Sequence, residues 1–295
     1  MPRIIVTGAS GFLGGHLVQS MLDAGWDVAV LTRKTVKGVP STRSHHVDGS
    51  IASMAAGLTA FRPDCVIHLA SLFVASHVAD DVDRLIASNI TLGAHLLEAM
   101  AQSDVRRLVC AGTAWQHRDD AAYAPVNLYA ATKQAFEDLC RYYVDAHGFA
   151  AWHLRLGDTV GADDPRPKLF GLLDKARRDG ATLDMSPGEQ RLNLLDASDV
   201  AAGFMHAART AIEGGSGERL FVLRHGESWR LRDIVTCYQR HAGGQPAVRF
   251  GAKPYRDREI MTPPTVPATL PGWQPRVSVE SAIRAVATAH LAQDT

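Results

Sequence analysis

The sequence predicts an α/β fold, a doubly wound parallel sheet with a smaller C-terminal lobe. Short, mostly apolar strand candidates (residues 4–6, 28–31, 65–70, 108–111 and 152–156) alternate with helical segments, the pattern of parallel strands covered on both faces. A glycine turn, Thr7-Gly8-Ala9-Ser10-Gly11-Phe12-Leu13-Gly14, joins the first strand to the first helix. After Gly161 a loop rich in Pro and Asp ends the regular alternation. At 295 residues the chain is long enough for one large sheet plus a lobe. We assign 1–160 and about 192–212 to the sheet domain, and 161–191 and 213–295 to the lobe.

Taken in order, strand, glycine turn and helix are the context in which a pyrophosphate sits on a helix N-terminus, against free N–H groups and the positive end of the dipole. The helix runs through Ala24 and stops at Gly25. The end of the second strand selects the cofactor. An acidic residue there would bind a ribose 2′-hydroxyl, but the chain has Thr32-Arg33-Lys34, and two cations suit a 2′-phosphate. NADP is therefore favoured, with NAD possible. A weak third strand at 46–47 leads to Asp48-Gly49-Ser50-Ile51, and the fourth strand ends in His68-Leu69-Ala70-Ser71. His68 reads as a satisfied core histidine. Residues 89–101 form an amphipathic helix with Leu92, Leu96, Leu97 and Met100 inward.

The next strand delivers Thr113, and a helix from Tyr129 carries Lys133 one turn on, so phenol and ammonium share a face. A cation beside a phenol favours the phenolate and tunes it toward acid/base work at neutral pH, with Thr113 orienting a substrate oxygen. In the second half, Asp199-Val200 starts a helix whose apolar face returns to the sheet. A strand at 220–223, a helix at 231–241, a Pro/Gly-rich segment at 251–275 and a closing helix at 279–290 follow.

Lys plus Arg and Asp plus Glu number 31 each, so no global field draws the chain to nucleic acid or to an anionic membrane. Cys65, Cys110, Cys140 and Cys237 are far apart with no Cys-x-x-Cys, which suits buried free thiols in a reducing compartment better than a metal cluster. With no apolar run of membrane-spanning length and a first strand that begins at Arg3, the expectation is a cytoplasmic protein without a bound metal.

Six motifs in order resemble the extended short-chain dehydrogenase/reductase family, and within it the nucleotide-sugar-modifying enzymes of epimerase/dehydratase type. They are Thr7-Gly8-x-x-Gly11-x-x-Gly14, His68-Leu69-Ala70, Thr113 with Tyr129-x-x-x-Lys133, Leu154-Arg155-Leu156-Gly157-Asp158-Thr159-Val160-Gly161, Arg191 with Asp199-Val200, and Leu270-Pro-Gly-Trp273-Gln-Pro275. The resemblance implies a Rossmann fold in which Tyr129 exchanges the substrate proton, Lys133 tunes the phenol and holds the nicotinamide ribose, and Thr113 positions the sugar oxygen. It implies cofactor contacts at Gly8, Ser10, Gly11, Phe12, Leu13, Arg33, Lys34, Asp48, Ser50, Ile51, Leu69, Ala70, Ser71, Tyr129 and Lys133. For a nucleoside diphosphate sugar it implies Thr113, Trp115, Asp158, Lys168, Arg191, Asn193 and Arg256, the last within an Arg-x-x-acidic segment ending at Glu259. It also implies a homodimer through a four-helix bundle built from helices 89–101 and 129–146.

Departures from the family pattern narrow the reaction. Ala114 and Trp115 replace the Asp-Glu pair that 4,6-dehydration needs, and Trp115 also replaces the Cys of 3,5-epimerisation. His117 has no role assigned by the motif. Ser50 takes the place of an adenine-binding Asp, with Asp48 beside it, and Asp158 that of a substrate-binding Asn. The Thr113–Tyr129 spacing is short, which trims the loop over the sugar. Plain hydride transfer remains: an NADPH-dependent 4-keto reduction of the kind used in deoxysugar biosynthesis, or a 4-epimerisation on tightly held NAD. A non-catalytic dinucleotide sensor would not need the Thr, Tyr and Lys set.

Overall fold

Strand β1 (Arg3–Thr7) feeds helix α1 (Phe12–Asp23), followed by β2 (Asp27–Thr32), β3 (Ser44–His46), α2 (Ile51–Phe61) and β4 (Cys65–His68). Next come α3 (Val82–Ile86), α4 (Leu92–Gln102), β5 (Arg107–Thr113), α5 (Leu128–His147), β6 (Ala150–Leu156) and β7 (Asp158–Val160). The second half contains α6 (Leu169–Asp179), β8 (Thr182–Met185), β9 (Arg191–Leu192), β10 (Leu194–Asp196), α7 (Ala197–Ile212) and β11 (Gly217–Leu223). It closes with β12 (Trp229–Arg230), α8 (Leu231–His241), β13 (Ala247–Phe250) and α9 (Val279–Ala292). This computed structural model describes residues 1–166, 168–243 and 246–292, so Pro167 of the breaker-rich loop lies outside it.

The main sheet has seven parallel strands in the order β11-β6-β5-β4-β1-β2-β3. The order reverses between β1 and β4, and a crevice opens outside their carboxyl ends, the place where such sheets bind ligands. Both faces are covered, which explains the mostly apolar strands. On one side α1 and α7 bury Leu17, Met21, Val200 and Phe204 against β1 and β4. On the other, α2, α4 and α5 bury Leu58, Leu96, Met100 and Phe136 against the same sheet. A third core, formed by α6, α8 and α9, holds the C-terminal lobe together.

Two sequence assignments change. Gly217–Leu223, placed with the lobe, pairs along its whole length with β6 and forms the edge of the main sheet. The strand expected at 220–223 starts earlier, because Glu218 and Arg219 hide its first residues from a hydropathy reading. The helix expected over 89–101 is α3 and α4 joined by a wide, π-type turn at Ala87–Thr91, which leaves Asn89 buried inside the turn. Helix α4 is packed between α2 and α5, and the exposed apolar residues of this flank are Val82 and Ile86 on α3 and Tyr142 on α5.

Candidate functional site

One cleft of about 720 Å³ runs from the glycine turn at the sheet switch point into the C-terminal lobe. At its inner end Gly8 has φ +75°, and a Cβ there would lie 2.5 Å from Ala70 N. A Cβ on Gly14 would lie 2.1 Å from Gly8 O, so the turn can close on β4 and α1 only without side chains at these positions. Helix α1 begins at Gly11 with no side-chain cap and no acidic residue in its first turn, leaving its N-terminal field to an anion. Gly8, Gly11, Phe12, Leu13, Leu69 and Ser71 line the cleft, as the resemblance requires of a cofactor cradle.

Ser10, Arg33, Lys34, Asp48, Ser50, Ile51 and Ala70 lie outside that lining. Arg33 and Lys34 project, exposed, from the carboxyl end of β2, where the Thr32 hydroxyl donates to Lys34 O across the turn. Among the described residues neither side chain has an ion-pair partner. Ser50 caps α2 by accepting from Ser53 N, and Asp48 Oδ1 accepts from Ser50 N at 2.8 Å and from the Ser53 hydroxyl at 2.7 Å. These bonds hold the Asp48 carboxyl well below its usual range.

Thr113, Tyr129 and Lys133 all line the cleft. The first turn of α5 is set by Asn127, whose Oδ1 accepts from Ala130 N while its amide donates to Val74 O and Ala75 O. Desolvation pushes the Tyr129 phenol up to about 12, against the opposing pull of the Ser71 hydroxyl and the Arg166 guanidinium. Lys133 is the tuning cation expected from sequence, and Arg166 is a second cation that pulls on the phenol. Lys133 is 4% exposed, and burial lowers its ammonium pKa. His68 is a core residue: its Nδ1 lies 2.7 Å from Thr7 Oγ1, and burial, with the nearby Lys133 charge, drives it down to about 3. His117 is not among the residues that line the cleft, and its Nδ1 lies 2.7 Å from Ala121 O, so its ring holds a loop.

A buried chain of hydrogen bonds positions Thr113. Gln116 Oε1 accepts from Thr113 N at 2.9 Å, and Gln116 Nε2 donates to Glu137 Oε2 at 3.1 Å. Glu137 is in turn paired with Arg155 Nη2 at 2.8 Å. The Thr113-x-x-Gln116 spacing of a capping box is the sequence signal for this link. Asn89 has no such signal. Its amide contacts Leu72 N, Leu72 O, the Ser71 hydroxyl and the Thr132 hydroxyl, so it locks the loop after β4 onto α5.

The outer cleft is aromatic and cationic. Phe73 meets the Tyr129 ring edge-on at 5.1 Å and the Trp115 ring at 5.7 Å. The Lys168 ammonium lies 5.0 Å from the Phe73 centroid, and the Arg256 guanidinium 5.8 Å from that of Trp115. Asp158 lies near both cations, yet desolvation keeps its pKa above the usual carboxylate value. Phe73 and Arg166, which stacks 4.7 Å from the Phe12 ring, sit on loops without periodicity and escape a sequence reading.

Two expected substrate ligands are otherwise engaged. Asn193 lines the cleft, but its amide donates to His225 O and Glu227 O and its Oδ1 accepts from His225 N. Both of its donors are consumed by that turn. The Arg191 guanidinium donates to the Ser228 hydroxyl and carbonyl, which partly commits it to the β9–β12 pairing. The Asp199 element and the Trp273 signature meet each other and not the cleft: the Asp199 carboxylate accepts from Arg276 N and Val277 N, and Trp273 Nε1 donates to Asp199 O.

Comparison with known proteins identifies the family. The model of the NAD dependent epimerase/dehydratase family matches residues 4–222. The chain is 26% identical to a CDP-abequose synthase of Yersinia pseudotuberculosis over 88% of this chain and 91% of that protein. It is 27% identical to a dTDP-6-deoxy-L-talose 4-dehydrogenase (NAD(P)(+)) of Kitasatospora kifunensis, over 97% and 95% respectively. Its fold is similar to that of a Thermus thermophilus UDP-glucose 4-epimerase in complex with NAD, with a TM-score of 0.81, 24% identity and 98% of each chain covered.

Proposed function

Because the chain belongs to the NAD dependent epimerase/dehydratase family, we propose that it reduces the 4-keto group of a nucleoside diphosphate sugar with NADPH. It is an NAD(P)-dependent oxidoreductase-type, nucleotide-sugar-modifying enzyme. The cradle fits a nicotinamide dinucleotide, since Gly8 and Gly14 let the turn close tightly on β4 and α1, and α1 offers an uncapped N-terminus. When bound, the cofactor supplies the hydride that reaches the carbonyl carbon. Tyr129 gives its phenolic proton to the carbonyl oxygen as that oxygen gains charge. A phenol pKa of about 12 keeps the proton in place until then. Thr113 Oγ1 accepts from Trp115 N, which leaves its own O–H free to orient the substrate oxygen. Lys133 holds the ribose side of the cofactor, and Lys168 and Arg256, with Asp158, face the substrate.

The observation that carries the choice of NADPH and net reduction is the pair of exposed cations, Arg33 and Lys34, at the end of β2. The test is to follow NADPH oxidation with nucleoside diphosphate 4-keto sugars and to assay the nicotinamide content of the purified protein. Turnover with NADPH and little bound cofactor supports the proposal. Stoichiometric bound nicotinamide with indifference to added NADPH would point to a 4-epimerase. Binding of the diphosphate is tested separately, by titrating Arg256→Ala and Arg191→Ala with a free nucleoside diphosphate. The engagement of Arg191 with Ser228 makes Arg256 the stronger contributor. We further propose a homodimer, paired through the exposed apolar residues of α3 and α5.

A further inference from the structure

Cysteines that the sequence keeps far apart converge beneath the catalytic centre. The parallel register of β5 and β6 sets Cys110 opposite His153. Helix α5 crosses that pair and lowers Cys140 onto it, bringing the two Sγ atoms and an imidazole nitrogen within 4.8 Å of one another. Cys110 Sγ lies 3.0 Å from His153 Nδ1. The three residues are 1%, 0% and 2% exposed, and none lines the cleft.

The far side of the imidazole is also prepared. His153 Nε2 faces Glu218 Oε1 at 3.5 Å, and neither atom has a closer hydrogen-bond partner among the described residues. The other carboxylate oxygen of Glu218 is held by Arg141 Nε and Nη2, both at 3.0 Å. A metal-binding imidazole typically points its second nitrogen at a carboxylate, which fixes the ring and raises its basicity. The side chains of Glu218 and Arg141 are 22% and 59% exposed, so solvent lies one side chain beyond the buried ring and offers a route in.

We propose that Cys110, Cys140 and His153 form a binding site for a thiophilic d¹⁰ cation, zinc or copper(I), ligated by two thiolates and His153 Nδ1 with Glu218 as the orienting carboxylate. Sulfur and imidazole donors select these ions over calcium or magnesium, which take oxygen. Three such donors satisfy copper(I), whereas zinc takes a fourth. A Cys110–Cys140 disulfide would use the same thiols but would leave the placement of His153 and Glu218 without a purpose. Because Cys110 is on the strand that ends in Thr113 and Cys140 is on the helix of Tyr129 and Lys133, an ion here would tie β5, α5 and β6 together.

The test uses the reduced full-length protein after chelator treatment, titrated in one arm with zinc or cadmium and in the other, anaerobically, with copper(I). A tight single ion per chain is expected in at least one arm, with a thiolate-to-metal charge-transfer band for cadmium or copper(I) and a higher thermal midpoint. Cys140→Ser and His153→Gln should each weaken binding by about tenfold or more while keeping the wild-type circular dichroism. Cys237→Ala serves as the control, because Cys237 meets His241 and Glu280 in a second, more exposed group. It should bind like the wild type. The proposal is overturned by the absence of a band at stoichiometric ion in both arms, by binding that Cys237→Ala abolishes and Cys140→Ser does not, or by a protein whose Cys110 and Cys140 form a disulfide in preference to taking up either ion.

Discussion

Replacing Arg155 with methionine should destabilise the fold by about 3–5 kcal/mol, because it leaves the Glu137 carboxylate buried without its counter-charge. The two side chains are 3% and 6% exposed, and the guanidinium reaches both carboxylate oxygens, at 2.8 and 3.1 Å. At the shorter distance and an effective dielectric of ~20, the gross attraction is about 6 kcal/mol. Much of that offsets desolvation, which lowers the Arg155 pKa and leaves its Nε buried without a hydrogen-bond partner. The pair is therefore expensive to break but not to replace. Arg155→Met combined with Glu137→Met should return to within about 1 kcal/mol of wild type, since an apolar pair of similar volume avoids both desolvation costs. Turnover should recover as well, because Gln116 keeps Gln134 Oε1 at 2.9 Å and can still hold Thr113 N. The assay is urea unfolding, compared at equal slope. A single variant within about 1 kcal/mol of wild type, or a double variant no more stable than the single, would refute the reasoning.

Tyr129→Phe should keep cofactor affinity and lose roughly 10²–10⁴-fold in turnover. With the phenol pKa raised to about 12, reduction by the wild type should stay flat in pH through about 10 and fall only as the proton is lost above it, so a decline centred near neutrality would remove Tyr129 as donor. Arg33→Ser with Lys34→Ala should weaken NADPH binding by on the order of 1.5–3 kcal/mol per lost charge-assisted contact and leave NADH unchanged, and an equal loss for both cofactors would count against the 2′-phosphate site. His68 has a folded pKa of about 3 against an ordinary value of 6.5. Its neutral form thus supports the fold fully above pH 6.5 and progressively less as pH falls toward 3, by about 2 kcal/mol at pH 5. His68→Gln should show that much less loss between about pH 7 and 5 in urea melts, and identical slopes for the two proteins would contradict it. Light scattering should give twice the 31.8 kDa chain mass for the wild type, and half of that for Ile86→Asp; a monomeric wild type would end the dimer proposal.

What can be read from the sequence is whatever local sterics dictate. Gly8 must adopt a positive φ and Gly14 must pass against a carbonyl, so both advertise the turn without help from the rest of the chain. Tyr129 and Lys133 are one helical turn apart, and their common cleft follows from the helix alone. Asn89, by contrast, lies in a stretch whose apolar spacing is that of an ordinary helix, and the wide turn that turns its amide toward Leu72 and Thr132 becomes visible only once those partners are packed against it. The meeting of Cys110 with His153 depends on strand register, which no local pattern of either strand contains. The C-terminal motifs show a different gap, between recognising an element and knowing what it does. Trp273 and Asp199 fasten one end of the Pro/Gly-rich segment to α7. Thr265, bonded through both its N–H and its hydroxyl to Asp120, fastens the segment again to the loop that follows Thr113. Arg256 lies on this doubly anchored segment, over the Trp115 ring. The signature that reads as part of a binding site therefore anchors the C-terminal end of this segment, while Arg256 is held over the cleft by nearer bonds on either side of it, Lys253 N donating to Met185 O and Arg191 N donating to Met261 O.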